Sequence, residues 1–214
     1  MEDKSLVQCK KKSHVLNDIL KRIFDITASF IGLVILSPVL ILVSVLIKID
    51  SKGPVFFKQT RVGRHEKPFE ILKFRTMIVD AEKYGKQITV GKDKRITRVG
   101  HFLRKYKIDE FPQLFNVLVG DMSLVGPRPE VPKYTAYYNE KQRQIFEIRP
   151  GITDYASIKY RNENEILANS TDPEKVYIEE IMRDKLKINL EYVARRSLKE
   201  DIHIIFKTIT KIIE

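Results

Sequence analysis

Asp109-Glu110-Phe111-Pro112 sets two carboxylates side by side just ahead of a proline. Proline is accepted in the first turn of a helix, so a short helix is predicted over Asp109–Leu118 with both acids at its start. There the macrodipole favours the carboxylate form. An ionised carboxylate serves as a nucleophile or as a Mg²⁺ ligand, although acidic residues are also an ordinary helix-start signal. A set of cations joins them: Arg104 five residues earlier, Lys73 and Arg75 in Lys73-Phe74-Arg75-Thr76-Met77, and Arg128 between Pro127 and Pro129. Arginine presents a planar fork that suits phosphate oxygens, and a Pro-Arg-Pro backbone restricts where that fork points. With 39 basic residues most must be solvated surface charges; Arg128 fits that bland reading least.

Other chemistry is poorly represented. His14, His65, His101 and His203 are scattered without zinc-ligand spacing, and no Walker or dinucleotide glycine loop occurs. No serine sits in a Gly-x-Ser-x-Gly elbow, and no nucleic-acid-binding motif is found. The 214 residues carry a net charge of +11, which points to an anionic partner: nucleic acid, membrane surface or phosphorylated substrate. At 43% hydrophobic residues the chain is too apolar for a disordered polycation. The single cysteine, Cys9, excludes an internal disulfide framework.

The elements that position these residues begin with a membrane segment. Ile26–Ile47 is a run of 22 residues without an ionisable side chain, and a spanning helix needs about 20. Ser37-Pro38 interrupts it near the middle, and proline breaks or kinks a helix. Both flanks are basic, with Lys10, Lys11, Lys12, Lys21 and Arg22 before the run and Lys48, Lys52, Lys58 and Arg61 after it. The positive-inside rule puts both flanks in the cytoplasm, which favours a re-entrant helix–break–helix over a proline-kinked span. Gly53–Phe57 and Phe69–Phe74 read as short strands around a turn at Thr60–Arg64. Helices are predicted over Met77–Tyr84, Ile96–Lys107, Tyr134–Ile148, Lys175–Ala194 and Leu198–Ile213, and a loop around Gly91–Lys94. The expected fold is α+β and mostly helical, with surface amphipathic helices and a small strand element. It divides into a basic segment at 1–20, a re-entrant membrane hairpin at 21–50 and a cytosolic catalytic domain at 51–214.

Several ordered motifs resemble the bacterial sugar transferase family, the monotopic polyprenyl-phosphate phosphoglycosyl transferases. They are Lys21-Arg22-Ile23-Phe24-Asp25 leading into Ser37-Pro38, Gly53-Pro54-Val55-Phe56-Phe57-Lys58-Gln59, and Lys73-Phe74-Arg75-Thr76-Met77. Asp109-Glu110-Phe111-Pro112-Gln113, Gly126-Pro127-Arg128-Pro129-Glu130 and Arg149-Pro150-Gly151-Ile152-Thr153 complete the series over about residues 20–155. One departure follows: many members carry Gly-Trp or Gly-Leu soon after the last motif. Here the segment is Asp154-Tyr155-Ala156-Ser157-Ile158, then the acidic Arg161-Asn162-Glu163-Asn164-Glu165.

The resemblance implies the minimal catalytic form of the family, acting at the cytoplasmic face of the bacterial inner membrane. It implies that Asp109 attacks the β-phosphate of a UDP-sugar, releasing UMP, and that a polyprenyl (undecaprenyl) phosphate then takes the phosphosugar from the aspartate. Mg²⁺ would screen the phosphates with Asp109 as a ligand. Glu110 would be an adjacent ligand, an orienter or a base, and Arg104 and Arg128 map onto phosphate-binding positions, with Lys73 and Arg75 in a neighbouring motif. Such a protein has no nucleic-acid partner, and its oligomeric state stays open. The alternatives are a membrane-bound, metal-dependent nucleotide hydrolase or phosphatase, and a non-enzymatic basic membrane-binding protein.

Overall fold

The computed structural model describes the backbone of residues 2–81 and 93–213 and the side chains of residues 17–81 and 93–211. A single helix, α1 (Glu2–Asp50), leads into an antiparallel hairpin of β1 (Phe56–Val62) and β2 (Pro68–Phe74). Then come α2 (Arg98–Lys105), a 3₁₀ turn at Ile108–Glu110, α3 (Gln113–Val119) and β3 (Ser123–Val125). Short helices α4 (Pro132–Thr135) and α5 (Glu140–Arg143) precede β4 (Gly151–Thr153), which pairs parallel with β3. The C-terminal part is helical: α6 (Tyr155–Lys159), α7 (Glu163–Ala168), α8 (Pro173–Val176), a π-helical turn at Tyr177–Ile181, α9 (Met182–Arg195) and α10 (Leu198–Ile213). The chain is thus α+β and mostly helical.

The expected helix break at Ser37-Pro38 is corrected: α1 continues through Pro38 as one helix. Proline lacks the N–H that would bond the carbonyl four residues back, which is that of Val34. The Ser37 hydroxyl donates to that same carbonyl at 2.8 Å, so the group is not left unpaired. Asn17–Asp50 is long and apolar enough to cross a membrane.

One stripe of α1 packs on the rest of the chain. Ser29, Leu33, Val43 and Ile47 are buried, whereas Phe30, Ile31, Ile35, Ile41 and Leu42 are exposed. Anchors lie at both ends of the apolar run. The Arg22 guanidinium donates to the carbonyls of Val117 and Leu118 at 2.7 and 3.0 Å, and the Asp50 carboxylate accepts from the Val99 amide at 3.0 Å. Lys21 pairs with Asp201 on α10 at 2.5 Å, and Val43 and Ile47 pack with Phe74 and Leu103.

Other expectations shift. The strand β1 runs on to Val62, so the turn falls at Gly63–Lys67. Met77, expected at a helix start, instead bridges Ile96, the next residues form a turn, and residues 82–92, which hold the rest of that expected helix and half of the predicted loop, lie outside the described residues. The expected Tyr134–Ile148 helix is broken into short pieces because Asn139 starts a new one, forming a reciprocal capping box with Gln142. Ile96–Lys107, Lys175–Ala194 and Leu198–Ile213 are helical over most of their expected lengths.

Candidate active site

Three separate stretches of chain bring the site together. The first is the start of α2. Thr97 caps this helix by accepting from the Gly100 amide at 3.0 Å, and a Cβ on Gly100 would lie 2.1 Å from the Thr76 carbonyl oxygen. Only glycine lets the α2 backbone lie so close to the end of β2. Arg104, one turn further, then reaches the Thr76 hydroxyl at 2.9 Å.

The second stretch is the acidic pair. Lys107 adopts a left-handed conformation (φ 57°) that turns the chain out of α2. Asp109 and Glu110 therefore lie on the 3₁₀ turn, ahead of α3, and not in the first turn of a longer helix as the sequence predicts. Asn116 on α3 pins this region to β2, accepting from the Leu72 amide at 2.9 Å and donating to the Glu70 carbonyl at 2.8 Å.

The third is the Pro-Arg-Pro turn. The parallel pairing of β3 with β4 delivers Arg128 and Asp154 to the same edge. Their backbones meet so closely that a Cβ on Gly151 would lie 2.1 Å from the Gly126 nitrogen. Buried Asp154 accepts from the Arg128 amide at 3.0 Å and from the Ser157 amide at 2.7 Å, tying the turn to the start of α6. On the other side, Arg61 donates to the Pro129 carbonyl at 3.1 Å and pairs with Glu130 at 3.3 Å.

Glu110 is enclosed by cations. It pairs with Lys73 at 3.0 Å and takes both terminal nitrogens of Arg128, one at 3.1 Å and the other in a shorter contact. Burial pushes its carboxyl up, but the charges of Arg128 and Lys73 outweigh this and hold it well below the usual range. Asp109 differs. It is 8% exposed, and its Oδ1 is buried without a hydrogen-bond partner. Burial raises its carboxyl pKa, opposed chiefly by Lys73, the reverse of the lowering expected of a carboxylate at a helix start. Burial also lowers Lys73 and Arg104, each opposed by these acids.

All of these groups line one cavity of about 680 Å³, a size that accommodates a nucleotide-sized ligand. Asp109, Glu110, Arg104, Arg128 and Lys73 come together as the sequence predicts. Arg75 lines the same cavity. Its guanidinium donates to the carbonyls of Lys52 and Ser51 at 2.5 and 2.8 Å, and so fastens the segment after α1. Sequence reasoning missed Asp154 as a site residue, although an aspartate three residues before a serine at a helix start is a capping signal. It also missed Asn189, the polar member of the buried stripe Met182, Leu186, Asn189, Val193 on α9.

Among the described residues no cluster of three or more metal-ligating side chains occurs. One orphaned carboxylate oxygen still fits Mg²⁺, which is commonly held by one or two carboxylates plus substrate phosphates.

The family model for bacterial sugar transferases matches residues 16–214, and the chain belongs to that family. It is 39% identical over 199 residues to a UDP-N-acetylgalactosamine-undecaprenyl-phosphate N-acetylgalactosaminephosphotransferase of Aeromonas hydrophila, covering 91% of this chain and 44% of the relative. It is 38% identical over 205 residues to the UDP-glucose:undecaprenyl-phosphate glucose-1-phosphate transferase of Escherichia coli K12, covering 92% and 40%. The chain therefore spans less than half the length of these two relatives. The exopolysaccharide production protein PSS of Rhizobium leguminosarum is 41% identical over 199 residues, covering 89% of this chain and 94% of the relative.

The environment of Asp109 sets a stability prediction. A buried group left unpaired costs about 1–3 kcal/mol and more when it is charged, so removing the charge is stabilising, and a carboxyl raised on folding destabilises the fold above its folded pKa but not below its unfolded one. Asp109→Asn is expected to raise Tm by about 2–4 °C at pH 7.5, the size of a ~1 kcal/mol effect in a chain this long. The gain should fade as the pH falls from the raised folded value of the carboxyl towards about pH 4, below which it is protonated in both states. Thermal melts across pH check this; an unchanged or lowered Tm at pH 7.5 contradicts it.

Proposed function

We propose that the chain transfers a sugar-1-phosphate from a UDP-sugar to polyprenyl (undecaprenyl) phosphate, releasing UMP, as the first membrane step of a bacterial glycan. The observation that carries this reading is the asymmetry of the acid pair. Glu110 is consumed by two cations, whereas Asp109 keeps a buried, unpartnered oxygen in the same cavity. That is the arrangement a carboxylate nucleophile needs.

In the first step an Asp109 carboxylate oxygen bonds to the β-phosphorus as the bond from that phosphorus to the bridging oxygen breaks. UMP departs with the bridging oxygen and its electron pair. In the second step an oxygen of polyprenyl phosphate attacks the same phosphorus, the Asp109–phosphorus bond breaks, and the carboxylate is regenerated. Arg128, Arg104 and Lys73 stabilise the charge spread over the phosphoryl oxygens. Glu110, held ionised by its partners, acts as the brace that fixes Arg128 and Lys73 and not as a base. Mg²⁺, with Asp109 as its protein ligand, supplies screening of phosphate charge when bound.

The same reading makes the chain monotopic at the cytoplasmic face, with both ends of the apolar run of α1 on one side of the membrane. Support comes from the anchors at Arg22 and Asp50, which bracket the apolar run and bind one globular unit. A helix spanning the bilayer from Arg22 to Asp50 rises about 42 Å at ~1.5 Å per residue, more than the ~30 Å hydrocarbon core, and would put the anchors on opposite sides. Exposed Phe115 and Val119 on α3, with Phe206 and Ile209 on α10, add apolar surface suited to the interface.

Full-length protein in detergent with Mg²⁺ and a panel of UDP-sugars is expected to release UMP in proportion to added undecaprenyl phosphate, and Asp109→Ala to abolish it. Sustained release without acceptor would instead mark a hydrolase. For topology, Leu20→Cys and Lys52→Cys in a Cys9→Ser background are both expected to resist an impermeant maleimide in intact cells and to react in inverted vesicles. Reaction from opposite sides would overturn the monotopic placement.

A further inference from the structure

The cavity has two ends of opposite character. Phe57 pairs with Lys73 across the hairpin, and with Pro54, Ile78 and Val79 it forms an apolar end of the cavity; Val55 beside them packs against the cluster of Phe74 and Leu103 with Val43 and Ile47 of the C-terminal part of α1. Phe57, Ile78 and Val79 are exposed. The other end lies beyond Arg128, which is joined through Asp154 to α6; there Ser157 on α6 and Lys185 and Asn189 on α9 complete the wall. Glu110, bonded to both Lys73 and Arg128, sits between the two.

Two successive in-line displacements at one phosphorus assign these ends. UMP leaves along the line opposite Asp109, and the acceptor phosphate must approach Asp109's adduct along that vacated line. Leaving nucleotide and arriving lipid therefore share one end of the cavity. The lipid comes from the membrane, so that end is the apolar one beside α1. The sugar stays on phosphorus through both steps and needs a separate chamber.

The wall of that chamber holds one unspent acceptor among the described residues. Ser157 Oγ donates to Asp154 at 3.1 Å, and Lys185 pairs with Glu163 while lying over the rings of Tyr160 and Tyr177. Asn189 is 6% exposed, lines the cavity, and its Oδ1 has no hydrogen-bond partner. A buried acceptor of this kind is satisfied when a ligand brings a donor.

We propose that the α6–α9 end of the cavity is the hexose subsite of the donor and that Asn189 Oδ1 accepts a hydrogen bond from a sugar hydroxyl or acetamido N–H, making Asn189 a specificity-determining residue. This rests on the transferase reading above. It also gives a role to the segment in which the chain departs from its family, because Ala156, Ser157, Glu163 and Asn164 line the same cavity.

The test measures acceptor-dependent UMP release by the full chain with UDP-glucose, UDP-galactose, UDP-N-acetylglucosamine and UDP-N-acetylgalactosamine. Wild type is compared with Asn189→Leu, Asn189→Ala and Asn189→Asp, and inhibition by free UMP is recorded for each. Leu and Ala are expected to lower kcat/KM for the preferred donor by roughly tenfold to a hundredfold and to flatten the ranking of the four donors. Asp, which keeps an acceptor oxygen, should retain the wild-type ranking, and UMP inhibition should be unchanged throughout. An unaltered ranking in Leu and Ala, or equal losses for all donors together with weaker UMP inhibition, would overturn the assignment. A wild-type protein that releases no acceptor-dependent UMP from any donor would overturn the transferase reading itself.

Discussion

The clasp of Glu110 by Lys73 and Arg128 is the interaction on which the rest of the site depends. It joins three stretches of chain that are far apart in sequence: the end of β2, the 3₁₀ turn after α2, and the Pro-Arg-Pro turn after β3. Removing one partner of a buried ion pair leaves the other charge uncompensated, so these stretches are held in one arrangement. The clasp also divides labour between neighbouring acids. With its charge neutralised by cations, Glu110 leaves Asp109 as the carboxylate with an open oxygen.

The second constraint is the attachment of α1 along its length. A helix that buries only a narrow stripe and leaves large apolar residues exposed over the remaining face is unsuited to water. Its anchors at Arg22, Lys21 and Asp50 tie that apolar face to the unit carrying Asp109. Arg75 belongs to this framework, because its two hydrogen bonds fasten the segment just after α1 to the end of β2. The site is in this way coupled to the element that would meet the lipid acceptor.

Much of this was legible in the residues. Asp109, Glu110, Arg104, Lys73 and Arg128 were recognisable from residue type, from the rigid Pro-Arg-Pro backbone and from ordered motifs. The long apolar run and the terminal amphipathic helices were readable from periodicity. The failures have local causes. Ser37-Pro38 signals a break, but the serine hydroxyl satisfies the carbonyl that proline abandons, and the helix continues. The left-handed turn at Lys107 has no glycine to announce it, so the acids move off the helix start onto a separate turn. The pairing of β3 with β4 involves strands of three residues each, too short to show alternation, yet it sets Arg128 beside Asp154.

The central claim is that Asp109, freed by the clasp on Glu110, forms the covalent bond to phosphorus. Intact-mass measurement of the full-length protein, incubated with its UDP-sugar and Mg²⁺ and quenched before acceptor is added, tests it most directly. The account predicts a mass increase equal to one sugar-phosphate, mapped to the peptide containing Asp109, that disappears when polyprenyl phosphate is supplied. An adduct on another residue, or acceptor-dependent turnover with no adduct on the wild-type protein at any quench time, would contradict it.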